Sequence, residues 1–188
     1  MRPLKIVCLG DSLTEGYQIK QGTEWSNLLQ QELNIDIINS GISGDTTGGM
    51  LARFQYMVIE HKPTHVIIMG GVNDLSLNLS DNLILSNLLA MTRYASYHGI
   101  EPIVGIPTPF YWQHLSYTQS IYLDYESLGK RLEVLQTKTK QFATEGQLKY
   151  IDFSTDMPQD LFLADGIHPN EKGHQMMMQN ALHVVKEL

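Results

Sequence analysis

The sequence predicts a three-layer α/β domain with a parallel sheet at its centre. Short apolar runs rich in Ile and Val recur along the chain, and each is followed by a stretch with helical spacing. The runs mostly lack alternating polar residues, which is typical of parallel strands covered on both faces. The chain has 188 residues, enough for one hydrophobic core, so we expect a single domain over residues 1–188.

Strands and helices are distinguished by their apolar periods. Runs of consecutive apolar residues predict five strands, at residues 4–9, 35–38, 65–69, 102–106 and 150–153. Apolar residues that recur every three or four positions predict helices between them. The predicted helix faces are Trp25, Leu28, Leu29 and Leu33; Leu51, Phe54 and Val58; Leu128, Leu132, Leu135 and Phe142; and Met177, Ala181, Val184 and Leu188, with a further helix over residues 81–97. Alternating strands and helices imply right-handed crossovers.

Composition and charge exclude several classes of protein. Hydrophobic residues make up 43% of the chain, which is too apolar for disorder. The formal net charge of −7 repels phosphate backbones, so we expect no nucleic-acid partner. No stretch approaches the roughly 20 apolar residues that span a bilayer. The single cysteine, Cys8, excludes a disulfide framework and a cysteine metal site, and we expect it to be a buried thiol. Because residues 1–9 do not resemble a signal peptide, we expect a cytoplasmic location.

Polar residues cluster where the predicted strands end. Ligands bind beyond the carboxyl ends of the strands in such sheets. Four segments meet this condition, namely GDSLT at 10–14, NSGISGD at 39–45, GGVND at 70–74 and DGIHP at 165–169. We therefore expect these four segments to lie along one rim of the sheet.

Ser12, Asp165 and His168 together have the chemistry of an activated nucleophile. A serine hydroxyl becomes a good nucleophile only when a base removes its proton. An Asp three residues before a His can fold back onto Nδ1–H and leave Nε2 free to accept that proton. Alone, each residue also has a structural interpretation. Ser12 suits a helix N-cap, Asp165 and Gly166 suit a turn, and His168 suits an exposed surface.

Gly44 and Asn73 could stabilise a developing oxyanion. Gly44 can present its backbone N–H without a Cβ in the way, and Asn73 can present its side-chain NH₂. The backbone N–H of Ser12 can be a third donor. Taken separately, Gly44 is also typical of a turn and Asn73 of a loop.

Together the four segments resemble the GDSL (SGNH) hydrolase family. The matching blocks read GDSLTEGY at 10–17, SGISGDTT at 40–47, GGVND at 70–74 and DGIHPN at 165–170, in order and at the family's spacing. The resemblance implies Ser12 as nucleophile, His168 as base and Asp165 as the residue that orients it. It further implies an oxyanion hole formed by the N–H groups of Ser12 and Gly44 and the side chain of Asn73.

Within this family, the sequences of the four blocks are most similar to those of the bacterial thioesterase I/lysophospholipase L1 and arylesterase branch. That likeness implies a flavodoxin-like, five-stranded parallel sheet and the hydrolysis of acyl esters or thioesters, with no cofactor. The same site would also serve acyl transfer, removal of acetyl groups from carbohydrates, or lysophospholipid hydrolysis.

Two other classes of function would account for parts of this pattern. A metallohydrolase is one alternative because Asp11, Asp45, Asp74 and Asp165 all fall on the predicted rim. Only His168 among the histidines lies in a matching block, so we expect no metal site. A binding module without turnover would lack the nucleophile or the base, and neither is missing.

Aromatic residues are concentrated between positions 107 and 125, after the fourth predicted strand. They are Phe110, Tyr111, Trp112, Tyr117, Tyr122 and Tyr125. One interpretation is that they pack on the body of the domain. The other is a wall beside Ser12, with Tyr111, Trp112 and Ile167 binding substrate. Rigid rings would favour short acyl or aryl esters over long chains.

Overall fold

Five parallel strands form the sheet that the sequence predicts. The computed structural model describes residues 3–115 and 124–188. The strands are β1 (Lys5–Gly10), β2 (Asp36–Gly41), β3 (His65–Met69), β4 (Glu101–Ile106) and β5 (Lys149–Asp152), in the order β2-β1-β3-β4-β5. Every neighbouring pair is parallel. This is the flavodoxin-like order, so the predicted fold class is confirmed.

Helices cover both faces of this sheet. They are α1 (Ser12–Glu15), α2 (Trp25–Leu33), α3 (Thr47–Ala52), α4 (Phe54–Met57), α5 (Val72–Ser76), α6 (Asp81–Tyr97), α7 (Tyr125–Glu145) and α8 (Glu171–Val185). The chain moves from β1 to β2 in one direction along the sheet, and from β2 to β5 in the other. Right-handed crossovers therefore place α1 and α2 on one face and α3 to α7 on the opposite face. α8 packs against α2 and completes the first layer.

Most strand ends shift by one residue from the sequence prediction, whereas β2 and the helix expected around Phe54 differ more. β2 extends to Gly41 although the apolar run ends at Ile38, because Ser40 and Gly41 continue the ladder with β1. Ser40 is buried there, and its hydroxyl donates to the Met57 carbonyl. The apolar face formed by Leu51, Phe54 and Val58 does not form one helix. It is divided at Arg53, which ends α3 and begins α4.

The core lies on both sides of the sheet. Trp25 of α2 is fully buried, with its ring centroid 4.8 Å from that of Phe153, which follows β5. On the opposite face, Met91 of α6 is also fully buried. Cys8 in β1 is inaccessible, and burial raises the pKa of its thiol, so the prediction of a buried thiol is confirmed. Among the helices of residues 3–115 and 124–188, none combines the length and the apolar character needed to cross a membrane.

Candidate active site

Ser12 lies at the start of a one-turn helix at the end of β1. The helix is capped by Asp11, whose side chain accepts a hydrogen bond from the Leu13 N–H at 3.0 Å. Ser12 is thus the first helical residue, and the alternative that it is the N-cap is wrong. Its backbone N–H is one of the donors that a helix start leaves without an intrahelical partner. Gly16, at φ +92°, ends the turn in the left-handed conformation.

His168 connects Ser12 to Asp165. The Nε2 atom of His168 lies 2.9 Å from the Ser12 hydroxyl oxygen, and its Nδ1 atom lies 2.7 Å from Asp165 Oδ2. The other carboxylate oxygen of Asp165 accepts the backbone N–H groups of Ile167 and His168, both at 3.0 Å. The predicted fold-back of Asp165 onto Nδ1 is therefore present. Because the hydroxyl, the imidazole and the carboxylate are hydrogen-bonded in this order, the proton of the Ser12 hydroxyl can pass to Nε2 of His168.

The charge of Asp165 is maintained by its hydrogen bonds. Partial burial raises the pKa of this carboxyl, but the hydrogen bonds from the His168 ring and from the two backbone N–H groups more than offset that effect. The net pKa lies below the usual value for Asp, so Asp165 is ionised near neutral pH. An ionised carboxylate at Nδ1 holds the proton on that nitrogen and leaves Nε2 as the acceptor. The ring of Tyr17 covers the imidazole, with 4.4 Å between centroids.

Asn73 and Gly44 come from two further loops of the same rim. Asn73 lies in α5, directly after β3, and its side-chain amide donates to the Asp45 carbonyl at 2.8 Å. A longer contact of 3.4 Å joins the same nitrogen to Asp11 Oδ2. Gly44 is exposed in the turn before Asp45, at φ +81°, where a side chain would be strained. Within the described residues, the Gly44 N–H makes no hydrogen bond, so it is free to meet a ligand.

A cavity of about 250 Å³ opens beside Ser12. Its polar wall includes Ser12, Asn73, Asp165 and His168, whereas the remaining wall is mainly apolar. The apolar part is formed by Leu13, Val72, Phe110, Leu115, Tyr125, Leu128 and Ile167. The rings of Phe110 and Tyr125 meet edge to face, 5.9 Å apart. Small apolar groups would therefore fit next to the hydroxyl of Ser12.

The residues predicted to bind substrate are only partly in this cavity. Ile167 lines it, but Tyr111 and Trp112 are not among the described residues that do so. Tyr111 donates its hydroxyl to the Met157 carbonyl at 2.7 Å and packs against Phe162. Trp112 packs against the backbone of Gly129 in α7. Of the other aromatics in that segment, Tyr117 and Tyr122 lie outside the described residues.

Phe110 and Tyr125 line the cavity, although the sequence analysis chose their neighbours Tyr111 and Trp112 from the aromatic wall as substrate-binding residues. Both belong to the aromatic segment after β4, so its aromatic density was the available signal. Side-chain direction decided the difference, because Phe110 and Tyr125 face Ser12 whereas their neighbours turn to the body of the protein. That direction depends on contacts with Met157, Phe162 and α7, which residue spacing does not reveal.

The four rim aspartates have separate partners, and that of Asp11 is the Leu13 N–H. Asp45 pairs with Arg53 at 2.6 Å, and Asp74 accepts the backbone N–H and the hydroxyl of Thr47. Asp165 holds His168. In the part of the chain that the structure describes, no three His, Cys, Asp or Glu side chains form a group suited to a metal ion.

Asp11 is a fully buried carboxyl directly behind Ser12. Burial raises its pKa, and nearby Asp74 adds to the rise, whereas the Leu13 N–H and His168 lower it. The pKa of Asp11 is raised to about 6. Asp11 therefore changes charge in a range where Asp165 stays ionised.

Comparison with known proteins identifies the family of this chain. The GDSL-like Lipase/Acylhydrolase family profile matches residues 8–176. An arylesterase from Vibrio mimicus is 30% identical over 193 residues, which cover 98% of this chain and 90% of the relative. The thioesterase 1/protease 1/lysophospholipase L1 of Escherichia coli (strain K12) is 27% identical over 170 residues, with 88% and 75% of the two chains covered. A crystal structure of a lipolytic G-D-S-L family member from Veillonella parvula matches with a TM-score of 0.81 and 27% identity, covering 98% of this chain and 100% of that one. This chain therefore belongs to the GDSL-like lipase/acylhydrolase family, and its predicted class, a GDSL-type esterase or lipase, is confirmed.

Proposed function

We propose that the chain hydrolyses carboxylic esters or thioesters through an acyl-enzyme on Ser12. The observation that carries the proposal is the pair of contacts made by His168, at 2.9 Å to the Ser12 hydroxyl and 2.7 Å to Asp165. In this mechanism Ser12 is the nucleophile, His168 is the general base and Asp165 orients the imidazole. The mechanism needs no cofactor.

The reaction proceeds in two steps on the same residues. Ser12 Oγ attacks the carbonyl carbon while His168 takes the hydroxyl proton, and His168 then protonates the departing alcohol or thiol. Water next attacks the acyl-enzyme with His168 again as base, and Ser12 leaves with the returned proton. The N–H groups of Ser12 and Gly44 and the side chain of Asn73 stabilise the oxyanion in both steps.

The cavity supports a preference for short acyl or aryl groups. Its volume of about 250 Å³ lies below the roughly 300–1,000 Å³ typical of pockets for drug-sized ligands. Part of its wall is formed by the rigid aromatic rings of Phe110 and Tyr125, which suit short acyl or aryl groups better than long flexible chains. The name of the Vibrio mimicus relative, arylesterase, points to the same substrate class. Acyl transfer, carbohydrate deacetylation and lysophospholipid hydrolysis are alternatives that the same residues would perform.

Substitution of Ser12 together with a substrate panel tests this function. Ser12→Ala should abolish ester hydrolysis and keep the melting temperature within a few degrees, because its hydroxyl makes no structural cap. A fluorophosphonate should label the wild type at Ser12 alone. Labelling of a different serine with loss of activity would overturn the assignment.

The panel identifies the substrate class. It comprises p-nitrophenyl esters from acetate to palmitate, an acyl-CoA, an acetylated sugar and a lysophospholipid. We expect acetate to butyrate to give the highest kcat/KM.

Prolonged dialysis against EDTA should leave activity unchanged, whereas loss of activity on chelation and its recovery with a divalent ion would favour the metallohydrolase alternative.

A further inference from the structure

We propose that Arg53 and Glu15 are positioning residues that hold the loop bearing Gly44 from two sides. This loop, residues 42–46, is called the oxyanion loop below. The inference rests on the proposed function, in which the Gly44 N–H stabilises the oxyanion. It assigns new roles to two residues that lie outside the catalytic contacts of Ser12 and His168.

Arg53 joins the oxyanion loop to the ends of two strands. Its Nε donates to Asp45 Oδ2 at 2.6 Å, and its two terminal nitrogens donate to the carbonyls of Ser40 at 2.8 Å and Gly10 at 2.9 Å. The side chains of Arg53 and Asp45 are only 15% and 14% exposed. Charge-assisted hydrogen bonds at such depth are stronger than exposed ones, and the planar guanidinium fixes their directions. Asp45 is therefore held against the β1 and β2 ends.

Glu15 holds the opposite end of the loop. It lies in α1, three residues after Ser12, and its carboxylate accepts the backbone N–H of Ser43 at 2.7 Å as well as the Ser43 hydroxyl. Glu15 is exposed, so this contact is weaker than the buried Arg53 pair. It nevertheless connects the helix that begins with the nucleophile directly to the residue before Gly44.

Gly44 has no side chain with which to hold its own position. Its neighbours are both fixed, Ser43 by Glu15 and Asp45 by Arg53, while its own N–H stays free among the described residues. The carbonyl of Asp45 also orients the Asn73 amide at 2.8 Å. An oxyanion donor is effective only when it is preorganised. Through Ser43 and Asp45, Arg53 and Glu15 together position the two predicted oxyanion donors that lie outside α1, the Gly44 N–H and the Asn73 amide.

Arg53→Met removes all three hydrogen bonds and keeps the length and apolar stem of the side chain. With p-nitrophenyl acetate we expect kcat to fall by about 10²-fold with little change in KM, because misplacement by about 1 Å has that effect. Binding of an aryl trifluoromethyl ketone should weaken in parallel. In that adduct Ser12 Oγ bonds to the carbonyl carbon, its proton passes to His168, and the carbonyl oxygen becomes the oxyanion. Arg93→Met, on an exposed site of α6, is the matched control and should retain wild-type kinetics.

Glu15 provides a test that does not endanger folding, because its side chain is exposed. Glu15→Ala should lower kcat, though less than Arg53→Met does. Glu15→Gln should recover part of the loss, since its amide oxygen can still accept the Ser43 N–H. Glu126→Ala, which removes an exposed glutamate paired with Lys130, is the control and should have no effect.

The outcomes separate this inference from the proposed function. Unchanged kcat in Glu15→Ala would overturn the positioning roles, and so would an Arg53→Met variant that folds and turns over normally. In either case, an inactive Ser12→Ala would still support the esterase assignment. A rise in KM without a fall in kcat would also overturn them. An active Ser12→Ala would instead refute the proposed function itself.

Discussion

The Ser12 hydroxyl oxygen lies 2.9 Å from Nε2 of His168, although 156 positions separate the two residues in the chain. The segment that carries His168 is held independently of Ser12. The Leu163 N–H donates to the His168 carbonyl at 2.8 Å, and Phe162 forms an antiparallel bridge to Pro169. Both ends of the contact are therefore fixed before a substrate arrives, which is what a nucleophile and its base require.

The two partners of Ser12 should respond differently to substitution. His168→Ala should lower kcat as severely as Ser12→Ala, because the base is removed. Asp165→Asn should lower kcat by up to about 10⁴-fold, because the imidazole stays near Ser12 but takes the wrong tautomer. Steady-state kinetics of both variants with p-nitrophenyl acetate check this order. Normal turnover in Asp165→Asn would show that another group orients His168.

Asn73 should contribute mainly to the transition state. Asn73→Ala removes one oxyanion donor, so kcat should fall by roughly 10²–10³ with little change in KM. Asn180→Ala in α8 is a suitable control, since its side-chain amide also donates to a backbone carbonyl, that of Thr155, but on the exposed side of the protein. A purely structural role for Asn73 would appear as a lower melting temperature with kcat unchanged.

Substitutions of Phe110 and Trp112 should affect the preference for ester chain length differently, because Phe110 lines the cavity and Trp112 packs behind it. Phe110→Ala enlarges the space beside Ser12, so the ratio of kcat/KM for long over short p-nitrophenyl esters should rise by about tenfold. Trp112→Ala should change that ratio less, because Trp112 packs on Gly129 behind the wall. Melting temperatures of both variants control for lost packing. A larger change in Trp112→Ala would restore that residue as the specificity wall.

Asp11 should make stability depend on pH. Its folded pKa of about 6 lies above the unfolded value near 3.9, so the folded state holds this proton more tightly. The contribution of Asp11 to the free energy of unfolding is therefore fully present below about pH 4 and is lost as pH rises through 6. Asp11→Asn should remove this decline, which is on the order of 3 kcal/mol.

Urea unfolding of wild type and Asp11→Asn at several pH values from 4 to 7 measures the difference. Asp36→Asn, at an exposed residue paired with Lys5, is the control and should follow the wild type. A constant difference between wild type and Asp11→Asn across this range would contradict the prediction.

The sequence by itself determined the layered architecture and the rim. Strand and helix periods are local properties, since they follow from which faces of each element meet the core. The apolar runs therefore predicted all five strands, and the parallel sheet necessarily gathers their carboxyl ends at one edge. Ser12, Asn73, Asp165 and His168 follow from that geometry and from the four family blocks.

Only the tertiary structure decided what surrounds these residues. It assigned the helix cap to Asp11 rather than Ser12, and it turned Phe110 toward the cavity but Trp112 toward α7. It also joined Arg53 to carbonyls 13 and 43 positions away. These choices depend on the directions of side chains packed between elements distant in sequence. A periodic pattern specifies which face of an element is buried, but only the packed neighbours determine which atoms meet there.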